Sequence, residues 1–255
     1  AAMADLDRAV LEDPNHADAR RIRATFRYER RDFAGVIEDL TKYLTLKPED
    51  GEAYHKRGKA RAWKDDYAGA LKDYDQALRR LKPTARLLTD CGAAKVQLKL
   101  YAAAVEDLTG ALRLDPESAE ACFFRAEALS YLEDYAGAIR DATRAIAAKV
   151  RLSHALRTRG FAHFMRLECD DALADLSESI RLEPTSGAYL FRAATRQQKK
   201  DFAGAVADYT EALKLPCDPL PILFNRALCQ ELAGNVDAAI SDVQAVLEKA
   251  PKDWS

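Results

Sequence analysis

The sequence predicts an all-α fold, an α-solenoid in which antiparallel helix pairs repeat about every 34 residues. Three observations carry this. Asp5, Asp39, Asp73, Asp107, Asp141, Asp175, Asp208 and Asp242 follow one another at 34 residues in six intervals of seven, and at 33 in the other. A carboxylate restated at fixed spacing points to a stack of like units that each solve the same packing problem. Around it, apolar residues fall at i, i+3, i+4, i+7 and i+11, the stripe of a helix with one buried face. Proline then recurs at Pro14, Pro48, Pro83, Pro116, Pro184 and Pro251, where one helix must stop before the next begins.

The elements follow in order. Residues 1–16 read as the second helix of a truncated repeat. In 17–50, Arg23-Ala24 marks a first helix and Asp39 a second. In 51–84, Arg57-Gly58 is followed by Tyr67-Ala68-Gly69-Ala70-Leu71-Lys72-Asp73, and in 85–118 Cys91-Gly92 takes the place of Arg-small ahead of Asp107. Residues 119–152 carry Arg125-Ala126 and then Tyr135-Ala136-Gly137-Ala138, with Val150 where a proline is expected. Arg159-Gly160 and Asp175 mark 153–185. Arg192-Ala193 and Phe202-Ala203-Gly204-Ala205 mark 186–219, where Cys217 stands between Pro216 and Pro219. Arg226-Ala227 and Asp242 mark 220–253. A small residue in the first helix is matched by another twelve later, as in Gly58 and Ala70, Ala126 and Ala138, or Gly160 and Ala172. That pairing lets two antiparallel helices approach closely.

Composition narrows the function classes. A formal charge of −2 argues against a polyanion-binding surface spread over the whole chain, so no nucleic-acid partner is expected. No apolar run is long enough to cross a bilayer, and Ala1 to Val10 lacks the pattern of a signal peptide. Cys91, Cys122, Cys169, Cys217 and Cys229 form no CxxC pair and are odd in number, which suits reduced thiols in an intracellular, cytoplasmic setting. Four of them fall where other repeats carry small or apolar residues, so burial is expected. His16, His55, His154 and His163 form no HExxH motif and no Cys/His ligand set, and there is neither a phosphate loop nor a GxSxG elbow. No catalytic residue, metal site or cofactor is expected, and the chain reads as a non-enzyme.

A 34-residue helix-turn-helix with these small, aromatic, Ala and Pro signposts resembles the tetratricopeptide repeat (TPR) family. The resemblance covers the whole chain, as seven full repeats preceded by the second helix of an eighth. Two positions depart from the family pattern. Arg stands where Leu is frequent before the small residue, and Arg27, Arg61, Lys95, His163, Arg196 and Gln230 stand where an aromatic is frequent three positions after it.

Geometry gives the aspartates a task. With roughly 100° of rotation per residue, Arg57 and Asp73 lie on the same flank of an antiparallel pair when Gly58 and Ala70 face each other. Arg–Asp pairs sixteen apart are therefore predicted: Arg23–Asp39, Arg57–Asp73, Arg125–Asp141, Arg159–Asp175, Arg192–Asp208 and Arg226–Asp242. Asp107 then faces Cys91 without an arginine. The rival geometry pairs each arginine with the aspartate eighteen residues back, and orphans Asp73 instead.

The resemblance implies a groove lined by the first helices that binds an extended peptide or partner helix. Its positions divide into a basic zone, Arg21, His55, Lys56, Lys59 and Arg86, with Arg157 further on, and an apolar zone, Phe123, Phe124, Phe161, Phe164, Met165, Leu190, Phe191, Phe224 and Leu232. An acidic ligand end over Lys56, Lys59 and Arg86 and an apolar segment over Phe124, Phe161 and Phe191 is the sharper expectation. Chaperone-binding members of the family hold a C-terminal carboxylate with basic residues and asparagines. The corresponding window here is Arg21, Thr25, Lys56, Arg86 and Asp90, which breaks that clamp. The implied function is a non-enzymatic protein-interaction scaffold or adaptor. An architectural spacer in a cytoskeletal, ciliary or other multiprotein assembly, with end-to-end contacts to further repeats or other subunits, is one alternative, and the substrate-recruiting arm of a larger enzyme is another. The ends of the sequence lack a polar capping helix, which leads us to expect flanking sequence.

Overall fold

The computed structural model describes residues 2–249, with the backbone alone at Lys249. Pro251 and the close of the 220–253 repeat lie outside them. Fifteen helices and no strand occur among the described residues. They are α1 (Ala2–Glu12), α2 (Ala17–Glu29), α3 (Phe33–Leu46), α4 (Gly51–Ala62), α5 (Tyr67–Leu78), α6 (Ala85–Gln97), α7 (Tyr101–Leu114) and α8 (Ala119–Tyr131), then α9 (Tyr135–Ala147), α10 (Leu152–Met165), α11 (Cys169–Leu182), α12 (Ser186–Gln198), α13 (Phe202–Ala212), α14 (Pro219–Leu232) and α15 (Val236–Lys249). The fold class is an all-α solenoid of helix pairs. The chain divides into two compact units, residues 1–128 and 129–255, with the boundary inside α8.

Each pair is joined by the same turn. The N–H of Asp32 reaches Arg27 O, and the same five-residue bond runs from Asp66 to Arg61, Leu100 to Lys95, Asp134 to Leu129, Glu168 to His163, Asp201 to Arg196 and Asn235 to Gln230. This closes the first helix with a Schellman motif, which requires a left-handed residue just before the donor. That residue is Arg31, Asp65, Lys99, Glu133, Leu167 or Lys200 in six turns, with φ between 59° and 64°, and Gly234 in the seventh.

The second helix starts on an aspartate cap in four pairs. Asp32, Asp66, Asp134 and Asp201 accept from the N–H of Gly35, Gly69, Gly137 and Gly204, satisfying a donor the helix end would orphan. A Cβ on Gly35 would lie 2.2 Å from Asp32 Oδ2, so the recurring Ala-Gly dipeptide keeps room for its own cap.

Cores repeat with the same logic. Val36, Leu40 and Tyr43 of α3 pack with Ala24 of α2 and Ala53 and Ala60 of α4. Ala70, Tyr74 and Ala77 of α5 pack with Leu87, Cys91 and Ala94 of α6. In the second unit Ala205, Tyr209 and Ala212 of α13 pack with Ala193 of α12 and Ile222 and Cys229 of α14. Gly58 leaves no room for a side chain between α4 and α5: a Cβ there would stand 2.5 Å from Tyr74 Cε1 and 3.2 Å from Ala70 O.

Candidate functional site

The buried charges come first, because they decide which side chains remain available. Arg57 Nε and Nη2 donate to Asp73 Oδ2 and Oδ1 at 2.9 and 2.6 Å. The same bidentate bond joins Arg23 to Asp39, Arg159 to Asp175, Arg192 to Asp208 and Arg226 to Asp242. These aspartates are buried, so each pair lies inside its helix pair and not on an acidic surface. Asp141 is buried too, and Arg125 donates to Thr109 Oγ1 at 3.2 Å.

Two features of these pairs escaped the sequence reading. The residues noted as departures from the family's aromatic are a second set of partners: Arg27, Arg61 and Arg196 each donate Nη1 to the same carboxylate, at 2.9, 2.9 and 2.8 Å, and to the carbonyl of Gly35, Gly69 or Gly204. The 34-residue recurrence of basic residues at that position was the available signal. Asp107 therefore does not simply face Cys91, since Lys95 Nζ lies 2.7 Å from it. In addition, Arg57, Arg125, Arg159 and Arg226 also reach back with Nη1 to Thr41, Thr109, Thr143 and Thr210 on the preceding second helix. Arg192 does so to Ser177, and Arg23 to Asp7 at 3.0 Å. One guanidinium thus holds its own pair together and ties it to the pair before.

His163 fills the second-partner position in α10. Its Nδ1 lies 2.6 Å from Glu168 Oε2, and Arg166 Nε lies 2.9 Å from Glu168 Oε1. Asp171 brings a third ligand atom within 4.8 Å of the other two. Both Glu168 oxygens are engaged within the protein, however, and Arg27–Asp32, Arg61–Asp66 and Arg196–Asp201 form ion pairs at the same place in other repeats. The cluster reads as the local form of that structural pair.

The first unit holds a cavity of about 300 Å³ lined by Arg21, Tyr28, Leu40, Asp50, Glu52, Ala53, His55, Lys56, Lys59 and Arg86. All five basic residues expected there line it. On α4, Glu52, His55, Lys56 and Lys59 share one face at i, i+3, i+4 and i+7 spacing, while Arg57 and Arg61 turn the other way to Asp73. Arg21 comes from α2 and Arg86 from α6.

Lys56 Nζ donates to Thr25 Oγ1 at 3.0 Å, and Lys59 Nζ stands 5.7 Å above the Tyr28 ring. Neither contact neutralises a charge. Burial first, then the Arg21 charge and, further down, Lys59 hold the Lys56 ammonium below the usual lysine range. His55 Nε2 lies 2.7 Å from Asp90 Oδ2, with its ring edge-on to Tyr74. Asp50 is spent locally: it caps α4 through Ala53 N at 3.0 Å and accepts from Tyr43 OH at 2.7 Å. Burial, then that carboxylate, pushes the Tyr43 hydroxyl up to about 12. Among the described residues, Arg21, Lys56, Lys59 and Arg86 have no carboxylate oxygen within 4.0 Å.

Arg157 is in the second unit, close to Gly187 and beside His154, whose pKa is lowered by burial and then by the Arg157 charge.

The apolar zone needs correction. Phe123 and Phe124 are 1% and 6% exposed; α8 buries four consecutive side chains from Ala121 to Phe124, so its apolar surface is not one open stripe. Phe164 and Leu190 are half-buried, Leu190 against the Tyr209 core. Phe161 and Phe191, also half-buried, pack on each other at 4.6 Å between centroids, with Tyr135 edge-on to Phe161. Met165, Phe224 and Leu232 are exposed. A larger apolar surface lies on α15, where Ile240, Val243 and Leu247 are exposed, Leu247 by 71%. Their counterparts 34 residues earlier, Val206, Tyr209 and Leu213, pack in the core that α14 covers. Periodicity predicts that stripe as buried; among the described residues no helix covers it. Among those residues, too, no helix is long and apolar enough to cross a membrane.

Comparison with known proteins agrees with this architecture. Residues 195–253 match the family model described as Tetratricopeptide repeat. A tetratricopeptide repeat protein from Parabacteroides merdae is similar over 93% of this chain and 94% of its own, at 16% identity and a TM-score of 0.67. Pseudomonas aeruginosa pilF is similar over 80% of this chain and 93% of its own, at 16% identity and a TM-score of 0.67. YrrB, described as a TPR protein with an unusual peptide-binding site, is similar over 76% of this chain and 97% of its own, at 19% identity and a TM-score of 0.59. No curated protein matches the sequence. The chain has the tetratricopeptide repeat fold.

Proposed function

We propose that this chain is a non-enzymatic protein-interaction scaffold that takes an acidic segment of a partner polypeptide into the basic cavity of its first unit. The observation that carries the reading is the set of four cations, Arg21, Lys56, Lys59 and Arg86, around an open concavity without carboxylate partners. Elsewhere in the chain half-buried arginines are matched by buried aspartates. Lys56 and Lys59 are half-buried while Arg21 and Arg86 are exposed; four like charges set around one concavity repel one another, so the arrangement is best explained by a ligand that supplies the opposite charge. The peptide-binding site described for YrrB, of the same fold, supports a polypeptide as that ligand. The exposed Met165 and Phe224, and the aromatic pair of Phe161 and Phe191, offer apolar contacts in the second unit.

Pools of short acidic, neutral and basic peptides passed over the immobilised chain test this. Acidic peptides should be retained and lost with Lys56→Gln/Arg86→Gln; equal retention by the variant defeats the reading.

The exposed α15 stripe favours a second reading, an architectural element that stacks through this helix face. Sedimentation velocity across a concentration series should then show self-association that Val243→Asp/Leu247→Lys abolishes. A monomer at every concentration removes self-stacking.

A further inference from the structure

We infer that the group recognised in the first-unit cavity is a phosphomonoester dianion carried on the partner polypeptide, a phosphorylated serine or threonine. This rests on the peptide-binding reading above and adds the chemistry of the ligand.

The lining charges favour two negative charges over one. Arg21, Lys56, Lys59 and Arg86 supply four positive charges; the lining carboxylates are Glu52 and Asp50, which leaves an excess of two. Asp50 is also turned away by its bonds to Ala53 N and Tyr43 OH. A side-chain carboxylate would offset half of that excess. A phosphomonoester carries about −1.5 to −2 charges at neutral pH and three acceptor oxygens.

The donors also suit a tetrahedral ligand. Arg21 of α2, Lys56 and Lys59 of α4 and Arg86 of α6 all line the cavity, so two guanidinium and two ammonium groups from three helices border one space. Guanidinium forks bind phosphate oxygens in pairs, while lysines act as rotatable point charges. The Lys56 ammonium is lowered first by burial and then by the neighbouring Arg21 charge.

A nucleic-acid backbone fits less well. It needs a basic track along many phosphates, whereas these cations surround one cavity of about 300 Å³ in a chain of net charge −2.

The test uses the full chain and degenerate peptide pools with a central phosphoserine, glutamate or serine, each made both C-terminally amidated and with a free carboxylate, read by fluorescence anisotropy. The phosphoserine pool should bind about tenfold or more tighter than the glutamate pool, and serine should not bind. Lys56→Gln and Arg86→Gln should each remove that preference, while Lys72→Gln, at an exposed position of α5 away from the cavity, leaves it unchanged. Circular dichroism melts check that the variants stay folded, which is expected because each removes an unpaired cation. Equal binding of glutamate and phosphoserine pools overturns the phosphoryl assignment and leaves the acidic-segment reading standing. So does retention only of pools with a free C-terminal carboxylate. Inorganic phosphate binding as tightly as the phosphoserine pool overturns the assignment in favour of a free-anion site. No binding by any acidic pool overturns both.

Discussion

Replacing Asp39 by asparagine removes a carboxylate that three arginines share. Its side chain is fully buried and receives Arg23 Nε and Nη2 at 2.9 and 2.5 Å, Arg27 Nη1 at 2.9 Å and Arg20 Nη1 at 3.3 Å. Asparagine keeps the shape, but it offers one neutral acceptor and turns an NH2 toward the guanidinium donors. Breaking a buried pair and leaving charge uncompensated costs about 3–5 kcal/mol. The arginines keep other partners, since Arg20 also donates to Pro14 O, Arg23 to Asp7 and Arg27 to Gly35 O, which places the expected loss near the lower end, about 3 kcal/mol. Asp107→Asn is the matched comparison. Its ion-pair partner Lys95 and its own carboxylate are each about a fifth exposed, so its loss should be about 1 kcal/mol. Urea titrations followed by circular dichroism measure both. Hydrogen exchange over α2 and α3 separates local opening from global unfolding, because stacked repeats need not unfold in one step. Losses within about 0.5 kcal/mol of each other would refute the view that the number of guanidinium partners and the burial of the carboxylate set the cost.

Thiol reactivity should divide by environment: burial, then Asp107, pushes the Cys91 thiol up, so Ellman's reagent should label exposed Cys217 quickly and Cys91 only on unfolding. Glu168 is held below the usual glutamate range, first by its hydrogen bond from His163 and also by Arg166. A depressed carboxyl contributes stability above its unfolded pKa that is lost as pH falls through the lowered folded value. His163→Gln should thus remove part of the acid-side slope of stability against pH, and an unchanged slope would contradict the assignment. Gly58→Ala should cost about 1–3 kcal/mol in urea titrations, because its Cβ would meet the Tyr74 ring at 2.5 Å. A stabilised variant would mean the α4–α5 contact is looser than described.

The helix pairs are legible in the sequence because one packing problem recurs at fixed spacing. Arg57 and Asp73 can be placed on one flank from helical rotation alone. The further bonds of the same carboxylate cannot, since a family comparison that expects an aromatic makes Arg27, Arg61 and Arg196 look like exceptions. The cavity residues are legible as a face, because His55, Lys56 and Lys59 follow helical spacing. Their lack of carboxylate partners is not, because it depends on where Asp50 and Asp90 spend their oxygens. Burial of aromatics was the least readable property: Phe124 and Phe191 hold comparable positions in their helices, yet one is enclosed and the other half-open. The exposed stripe of α15 follows the same local pattern as the covered stripe of α13. Whether such a stripe is covered is decided by the neighbouring helix and not by the residues themselves.

The left-handed turns have a consequence for how the array comes apart. An L-residue in that conformation carries roughly 1–2 kcal/mol of strain, and six of the seven Schellman turns inside the helix pairs hold one; Gly234 alone does not. Glycine would relieve this while adding about 0.5–1 kcal/mol of chain entropy to the unfolded state, so each exchange shifts the balance by a modest amount. Arg31, Asp65, Lys99, Glu133, Leu167 and Lys200 therefore act as separate trim points, each able to set how readily its own hairpin opens. Because none of them lines the basic cavity, the point where unzipping begins can drift over evolutionary time while the proposed binding surface is left intact.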